Sequence, residues 1–319
     1  MKVYKSQCKI SDQKKEEICE TITDLQKKGF LIKLKDLPED HQKLVETSPF
    51  KHYMPWRTVS KDSTSTKCRI VVDPSMSGLN IILAKGSNQM NKLTDVLIHA
   101  RTEKFLWSSD ISKMYNCLKL NPTSYSYQLF LYHDELDIDK EPEVYVMVVA
   151  WYGVTPSSNQ AIFALGELSR LLGKDYPLAL KVLHDFIYVD DIMSGCGTEE
   201  MRDQEIQEVT TVLASGGFTL KYVVKSGESL DGNDILKVLG YKWNTLGDTF
   251  SPGFGEVNFN KKKRGIKPSN PFPVTTIDDV SKLMNGLDIT RRIVVSKIAE
   301  FWEPVGIWEP IKVQMKLGA

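Results

Sequence analysis

An α+β fold, a sheet of mixed strand order with helices on one face, is what this sequence predicts. Three observations lead there. Strand and helix signals alternate without a regular βα repeat. Hairpin signals recur along the chain. The 319 residues have ordinary apolar and charged content, enough to fill one extended domain or two to three packed subdomains.

Residues 11–29 place Ile18, Ile22 and Leu25 at helical spacing, with Ser11 or Asp12 as cap and Gly29 as stop. From Tyr53 to Asp73 the pattern is that of a β-hairpin: Met54-Pro-Trp-Arg-Thr-Val-Ser60 and Cys68-Arg-Ile-Val-Val-Asp73 flank a polar tip. A helix from Gln89 to Ala100, with Leu93, Val96 and Leu97 on one face, feeds the strand Phe105-Leu-Trp-Ser-Ser-Asp110. A helical stretch over Ser112 to Leu118 follows, then strands Tyr125 to Tyr132 and Val144 to Trp151. Pro156 opens a helix running to Leu172, and Pro177 opens another ending at Asp185.

Phe186-Ile-Tyr-Val-Asp-Asp-Ile-Met-Ser194 reads as strand, tight turn, strand. The helix from Thr198 to Ala214 carries Ile206, Val209 and Leu213 at 3.6 spacing and stops at Gly216-Gly217. Strands Thr219 to Val224 and Lys237 to Trp243 come next. Gly253 to Val274, rich in Gly and Pro and holding the run Lys261 to Arg264, reads as a linker or a flexible loop. Thr276 with Asp279 makes a capping-box variant before a helix, and Ile289 to Phe301 forms another helix.

Lys plus Arg and Asp plus Glu are both 41, so a nucleic-acid role has to rest on local charge and not on net charge. The longest apolar run, Val144 to Val154, has 11 residues, short of the roughly 20 a membrane-spanning helix needs. The N-terminus has no apolar stretch that would make a secretory signal. Five cysteines without a C-x-x-C pair point to a reducing, intracellular setting, with neither a disulfide framework nor a zinc site. The histidines, His41, His52, His99, His133 and His184, show no ligand spacing.

Three carboxylates stand out by context. Asp110 ends an apolar strand, and Asp190 and Asp191, 80 residues on, sit in the turn of an apolar hairpin. An Asp-Asp pair is by itself an ordinary turn signal. At the ends of buried strands, however, unpaired acids are costly unless a cation is present. Clustered carboxylates suit hard divalent cations, and two such ions can clamp the oxygens of an in-line phosphoryl transfer.

Tyr188-Val-Asp-Asp191 resembles the Y-x-D-D box of reverse transcriptases, and Asp110-Ile-Ser-Lys-Met-Tyr115 resembles their first palm motif. Lys67-Cys-Arg-Ile-Val-Val-Asp73, Trp151-Tyr-Gly-Val-Thr155, Gly216-Gly-Phe-Thr-Leu-Lys221, Leu239-Gly-Tyr-Lys-Trp243 and Ile298-Ala-Glu-Phe-Trp-Glu-Pro-Val-Gly306 narrow the likeness. Together they are similar to the polymerase of BEL/Pao-type LTR retrotransposons, in motif order and spacing, from about residue 30 onward. This chain departs from the family at Pro156-Ser-Ser-Asn159, where Ser-Pro is usual after the Gly153 turn. It departs again at Phe301-Trp-Glu-Pro304, where Phe-Asp-Pro is usual.

The resemblance implies an RNA-directed DNA polymerase of right-hand architecture, with fingers, a ferredoxin-like palm and a partial thumb. Residues 1–30 would be a helical extension, 31–104 fingers, 105–252 palm with an interleaved fingers segment and a primer-grip hairpin, and 253–319 a linker with thumb-like helices. It implies that Asp110 and Asp190 ligate two Mg2+ ions, Mn2+ being a substitute, with Asp191 more peripheral. Arg69, with Lys67 or Lys61, would contact the triphosphate and Lys221 the leaving pyrophosphate. Tyr115 would sit beneath the incoming sugar, Gly153 and Gln160 would face template and nucleotide, and Leu239, Gly240, Tyr241, Lys242 and Trp243 would grip the primer. Partners would be a primed RNA or DNA template and deoxynucleoside triphosphates, with no membrane. RNase H and integrase domains, expected in a parent polyprotein, do not occur in this sequence. The setting would be the cytoplasm, a retroelement particle or the nucleus.

Read without the resemblance, Arg69 is an edge-strand arginine, Tyr115 a core residue, Lys221 a solvated strand residue, and Lys261 to Arg264 a solvated loop. A remnant that binds nucleic acid without catalysing is the competing function. A palm-fold nucleotide cyclase is a third, against which the hairpin at Arg69 and the C-terminal helices argue.

Overall fold

The computed structural model describes residues 12–60, 68–137, 139–253, 276–301 and 303–318, with the single positions 4, 8, 270 and 274. In chain order the first elements are α1 (Asp12–Lys27), β1 (Leu31–Lys33), α2 (Glu39–Thr47), β2 (Trp56–Ser60), β3 (Cys68–Val72), α3 (Leu79–Ile82), α4 (Leu93–Thr102) and β4 (Phe105–Ile111). There follow β5 (Leu129–Tyr132), β6 (Glu143–Met147), α5 (Ser157–Leu172), α6 (Pro177–Asp185), β7 (Ile187–Tyr188), β8 (Asp191–Cys196) and α7 (Glu199–Ser215). The remainder comprises β9 (Leu220–Lys225), β10 (Ile235–Val238), β11 (Tyr241–Asn244), β12 (Thr249–Pro252), α8 (Ile277–Met284), α9 (Arg291–Ala299) and α10 (Glu309–Leu317). Among the described residues no helix is long and apolar enough to cross a membrane.

The chain divides into two compact units. The first comprises Met1–Met90, Ser112–Leu168 and Leu213–Phe218; the second comprises Asn91–Ile111, Ser169–Val212 and Thr219–Ala319. In the first unit β1, β6 and β5 form an antiparallel sheet in that order, and β2 pairs with β3 as the hairpin its sequence predicts, Trp56 opposite Val72. The apolar stripe of α1, Ile18, Ile22 and Leu25, is buried in one core with Trp56, Phe130, Tyr132, Tyr145 and Trp151. Stacking of Trp56 on Phe130 at 5.1 Å, with its indole N–H donating to the Leu131 carbonyl at 2.9 Å, joins the hairpin to β5.

The second unit is built on a four-stranded antiparallel sheet in the order β7-β8-β4-β9. A three-stranded sheet, β10-β11-β12, shares with α4 a core of Val96, Leu97, Ala100, Leu106, Met193, Val224 and Trp243. Trp107 of β4 is fully buried and donates its indole N–H to Glu205 of α7 at 2.6 Å.

Several elements differ from expectation for local reasons. The strand expected from Tyr125 starts at Leu129. Asn121 accepts the Thr123 N–H at 3.0 Å and, with Pro122, sets up a 3-10 helix over Pro122–Tyr127. The helix expected from Gln89 starts at Leu93, because Asn88 accepts the Met90 N–H at 3.1 Å in a side-chain turn. The strand expected over Lys237 to Trp243 folds back on itself. Leu239 and Gly240 have φ of 50° and 91°, Val238 pairs with Tyr241, and the result is a two-residue hairpin turn with both loop residues in the left-handed region. The strand expected to reach Trp151 ends at Met147. Strands β1 and β12 and helices α2, α3 and α10 have no counterpart among the elements expected from the sequence.

Candidate active site

Strand β4 runs Phe105 to Ile111 with Leu106 to Ser109 buried, and Asp110 emerges near its end with its side chain 24% exposed. On the neighbouring strand, β7 and β8 are joined by Val189 and Asp190, since Tyr188 pairs directly with Asp191. Such a short loop forces positive φ, and Val189 takes +60°. For a β-branched residue that conformation is strained, by about 1–3 kcal/mol. The hairpin is held by surroundings remote in sequence: the Ile111 N–H donates to the Asp190 carbonyl at 2.8 Å, and the Asn91 amide donates to the His184 and Ile187 carbonyls at 2.8 and 3.0 Å.

The register of β4 on β8 then sets Asp110 directly opposite Asp191. Like charges in that position repel. The Lys221 ammonium of β9 offsets part of this, 3.0 Å from Asp110 Oδ2. Burial, with the charges of Asp190 and Asp110 added to it, pushes the Asp191 carboxyl up to about 7. Burial and then Asp110 push Asp190 up as well. Tyr222, next to Lys221, is pushed up to about 12, first by burial and then by the same three carboxylates. Sequence reading missed Tyr222 and Asn91. Strand alternation from the buried Val224 would have pointed Tyr222 to the sheet face that carries the aspartates.

The donor set is one of hard oxygens under mutual repulsion, which fits a divalent cation. Among the described residues no group of three or more His, Cys, Asp or Glu side chains converges into a ready cage. Lys221 pairs with one oxygen of Asp110 and offsets part of the repulsion.

A stability test follows from the raised Asp191. A carboxyl whose pKa is higher folded than unfolded favours the fold fully below about 3.8, its unfolded value, and loses that contribution as pH rises through about 7. In chelator-containing buffer, Asp191→Asn should therefore raise Tm at pH 8 by a few degrees, about 1 kcal/mol being worth roughly 2–4 °C at this size. The gain should shrink at pH 5. A Tm at pH 8 below wild type would show that the charge is stabilising.

The remaining candidates distribute as follows. Leu239, Tyr241 and Trp243 are buried in the second unit's core, whereas Gly240 between them is exposed and Lys242 half-buried. Arg69, Tyr115, Gly153 and Gln160 belong to the first unit. Arg69 is exposed on β3, opposite Val59, and Gln160 is exposed on α5. Gly153 has φ of +89°, which a side chain would strain, and its carbonyl accepts from the Asn80 amide at 2.8 Å. The Tyr115 ring is 7% exposed, edge-on to Tyr152 at 4.5 Å, with its hydroxyl 3.0 Å from Ser158 Oγ. Lys61, Lys67 and the run Lys261 to Arg264 lie outside the described residues.

No family model matches the chain, and no curated protein matches it. Solved structures do. A foamy viral protease-reverse transcriptase in complex with double-stranded DNA aligns with TM-score 0.56 and 16% identity over 95% of this chain and 44% of that one. The native protease-reverse transcriptase of prototype foamy virus aligns with TM-score 0.53 and 16% identity over 97% of this chain and 34% of that one. A foamy viral protease-reverse transcriptase in complex with an RNA/DNA hybrid aligns with TM-score 0.52 and 18% identity over 74% of this chain and 26% of that one. The chain therefore spans between about a quarter and under half of the length of these structures, and its fold is reverse-transcriptase-like.

Proposed function

We propose that this chain is the polymerase portion of a BEL/Pao-type retrotransposon reverse transcriptase, adding deoxynucleotides to a primer 3′ end on an RNA or DNA template. The observation that carries the reading is the direct pairing of Asp110 with Asp191, with Asp190 in the adjoining turn. A sheet that sets two carboxylates opposite one another at an unstable protonation balance suits a cation-dependent task better than a structural one. In the proposed arrangement Asp110, Asp190 and Asp191 would hold two Mg2+ ions, or Mn2+, whose charge would stabilise the phosphoryl group in transfer. Lys221, 55% exposed and paired with Asp110 Oδ2, would turn to the departing pyrophosphate. Arg69 and Lys67 or Lys61 would hold the triphosphate, Gly153 and Gln160 would face template and nucleotide, and the Gly240 backbone with Lys242 would meet the primer strand.

The domain assignment follows the same reading: fingers over 31–104, palm over 105–252, and linker with thumb-like helices over 253–319. The setting would be intracellular, and RNase H and integrase would be further parts of the polyprotein.

A second reading, nucleic-acid binding without catalysis, draws on the Lys221 to Asp110 ion pair, which takes up one oxygen of that carboxylate. Primer extension on an RNA template with Mg2+ decides between them: extension supports the polymerase, and duplex binding without extension supports the remnant.

Sugar choice gives a sharper test. Tyr115, five residues past Asp110 in the sequence, would reject a ribose by clash with its 2′-hydroxyl. Tyr115→Ala should raise ribonucleotide use relative to deoxynucleotide use by roughly 10-fold to 200-fold, as a clash of about 1–3 kcal/mol would set it. Tm should fall as well, because the ring is buried. A lower Tm with unchanged sugar preference would reduce Tyr115 to a core residue.

A further inference from the structure

We infer that Glu303 is a positioning residue that pins the C-terminal helical segment to the β10–β11 hairpin and so sets that hairpin for nucleic acid, an inference that rests on the primer-side reading above. Among the described residues from 276 to 318, the buried side chains are Ile298 and Glu303, each 5% exposed. Helices α8 and α10 bury none, and Ile277, Ile307 and Leu317 stand 85%, 70% and 83% exposed. Among the described residues of this segment few apolar side chains are buried, and one of the two buried groups is a carboxylate.

Burying a carboxylate is costly unless its oxygens are satisfied. Here they are, by donors from two places in the chain. Tyr241 of β11 donates its hydroxyl to Glu303 Oε1, and the Val305 N–H donates to the same oxygen at 2.9 Å. The Trp308 N–H donates to Oε2 at 3.4 Å. Burial works against the charge, yet these donors and the Gly306 N–H outweigh it and hold the carboxyl below its ordinary range. Glu303 thus closes the turn that precedes α10 and ties that turn to the hairpin in a single group.

Tyr241 lies between the exposed Gly240 and the half-buried Lys242, and is itself seated edge-on against Phe250 of β12 at 6.2 Å. Val305 packs on the same core. Whatever fixes the Tyr241 hydroxyl therefore fixes the backbone from which Gly240 and Lys242 project. Glu303 itself, buried and fully bonded, has no free oxygen for a ligand, which makes its role one of placement.

The test uses the full chain and five proteins: wild type, Glu303→Ala, Glu303→Gln, Tyr241→Phe and the Glu303→Ala/Tyr241→Phe double variant. Hydrogen exchange of residues 291–317 is measured without nucleic acid, and binding of a fluorescein-labelled RNA·DNA primer–template is measured by anisotropy. Glu303→Ala should speed exchange and weaken duplex binding about tenfold, equivalent to about 1.4 kcal/mol. The extension rate at saturating primer–template should stay within about twofold, an effect on binding and not on chemistry. Glu303→Gln keeps an acceptor for Tyr241 and should retain most of the affinity. Glu303→Ala combined with Tyr241→Phe should be less than additive, since both act on one contact. Unchanged exchange in Glu303→Ala overturns the pin. Faster exchange with unchanged affinity overturns the positioning role. A wild type that binds no duplex removes the functional reading and the positioning role with it, while the exchange measurement still judges the pin.

Discussion

Primer extension by Asp190→Asn is expected to fall at least about 10²-fold below wild type, with the fold intact, because a single electrostatic element aimed at a developing charge is typically worth that much. Asparagine keeps the size of the side chain and removes its charge. It also relieves repulsion from Asp110, one of the causes that push the Asp190 carboxyl up. The same loss is expected of Asp110→Asn, which in addition frees Lys221 from its ion pair. That pair is partly exposed, so its removal should change stability by no more than about 1 kcal/mol. Asp191→Asn should be the mildest of the three. Single-turnover extension on an RNA template, with Tm measured on the same preparations, checks all of this. Full activity in Asp190→Asn would remove it from the site, and a collapse of Tm alongside activity would reassign it to structure.

The largest stability effect should come from Trp107, far from any proposed substrate contact. Its side chain is fully buried in β4, and its N–H is bonded to Glu205, which is itself 3% exposed and pushed up chiefly by burial. Trp107→Ala should cost about 3–5 kcal/mol for the cavity. Leaving Glu205 short of a donor should cost about 1–3 kcal/mol more. Against a typical total of about 5–15 kcal/mol, that is enough to unfold much of the protein. Urea denaturation should show a lower midpoint, with Trp107→Phe falling between alanine and wild type because it keeps part of the ring volume while losing the hydrogen bond. A midpoint unchanged in Trp107→Ala would contradict the packing described for β4.

Thr276 and Asp279 show what short-range pattern can specify. Each accepts from the other's backbone N–H, at 3.2 and 3.0 Å, as their spacing predicts. The α1 stripe, the β2–β3 hairpin and the Tyr188 to Asp191 turn were legible for the same reason: helical and strand periods and two-residue turns are set by neighbours within about four positions. Where local chemistry competed, at Asn121 and Asn88, the sequence contained the signal and the periodicity outweighed it in the reading.

The site was only half visible. Asp110, Asp190 and Asp191 could be named from their strands, and the likeness to reverse transcriptases supplied their role, but nothing local says that Asp110 faces Asp191. That depends on the register between strands 80 residues apart, where a slip of one residue would turn Asp110 to the opposite face. Tyr222 belongs to the carboxylate cluster through a strand pairing of the same kind, and the strained Val189 is tolerated because Asn91 and Ile111 hold its hairpin. Glu303 stands in a C-terminal motif of the sequence, and nothing local in that motif places it against Tyr241. The sequence by itself determined the elements and the identity of the chemical groups, because propensity, capping and turn formation are short-range forces. Only the tertiary structure decided which groups meet and what charge they hold, because burial and Coulomb interaction depend on distance in space, which the spacing of residues along the chain does not set.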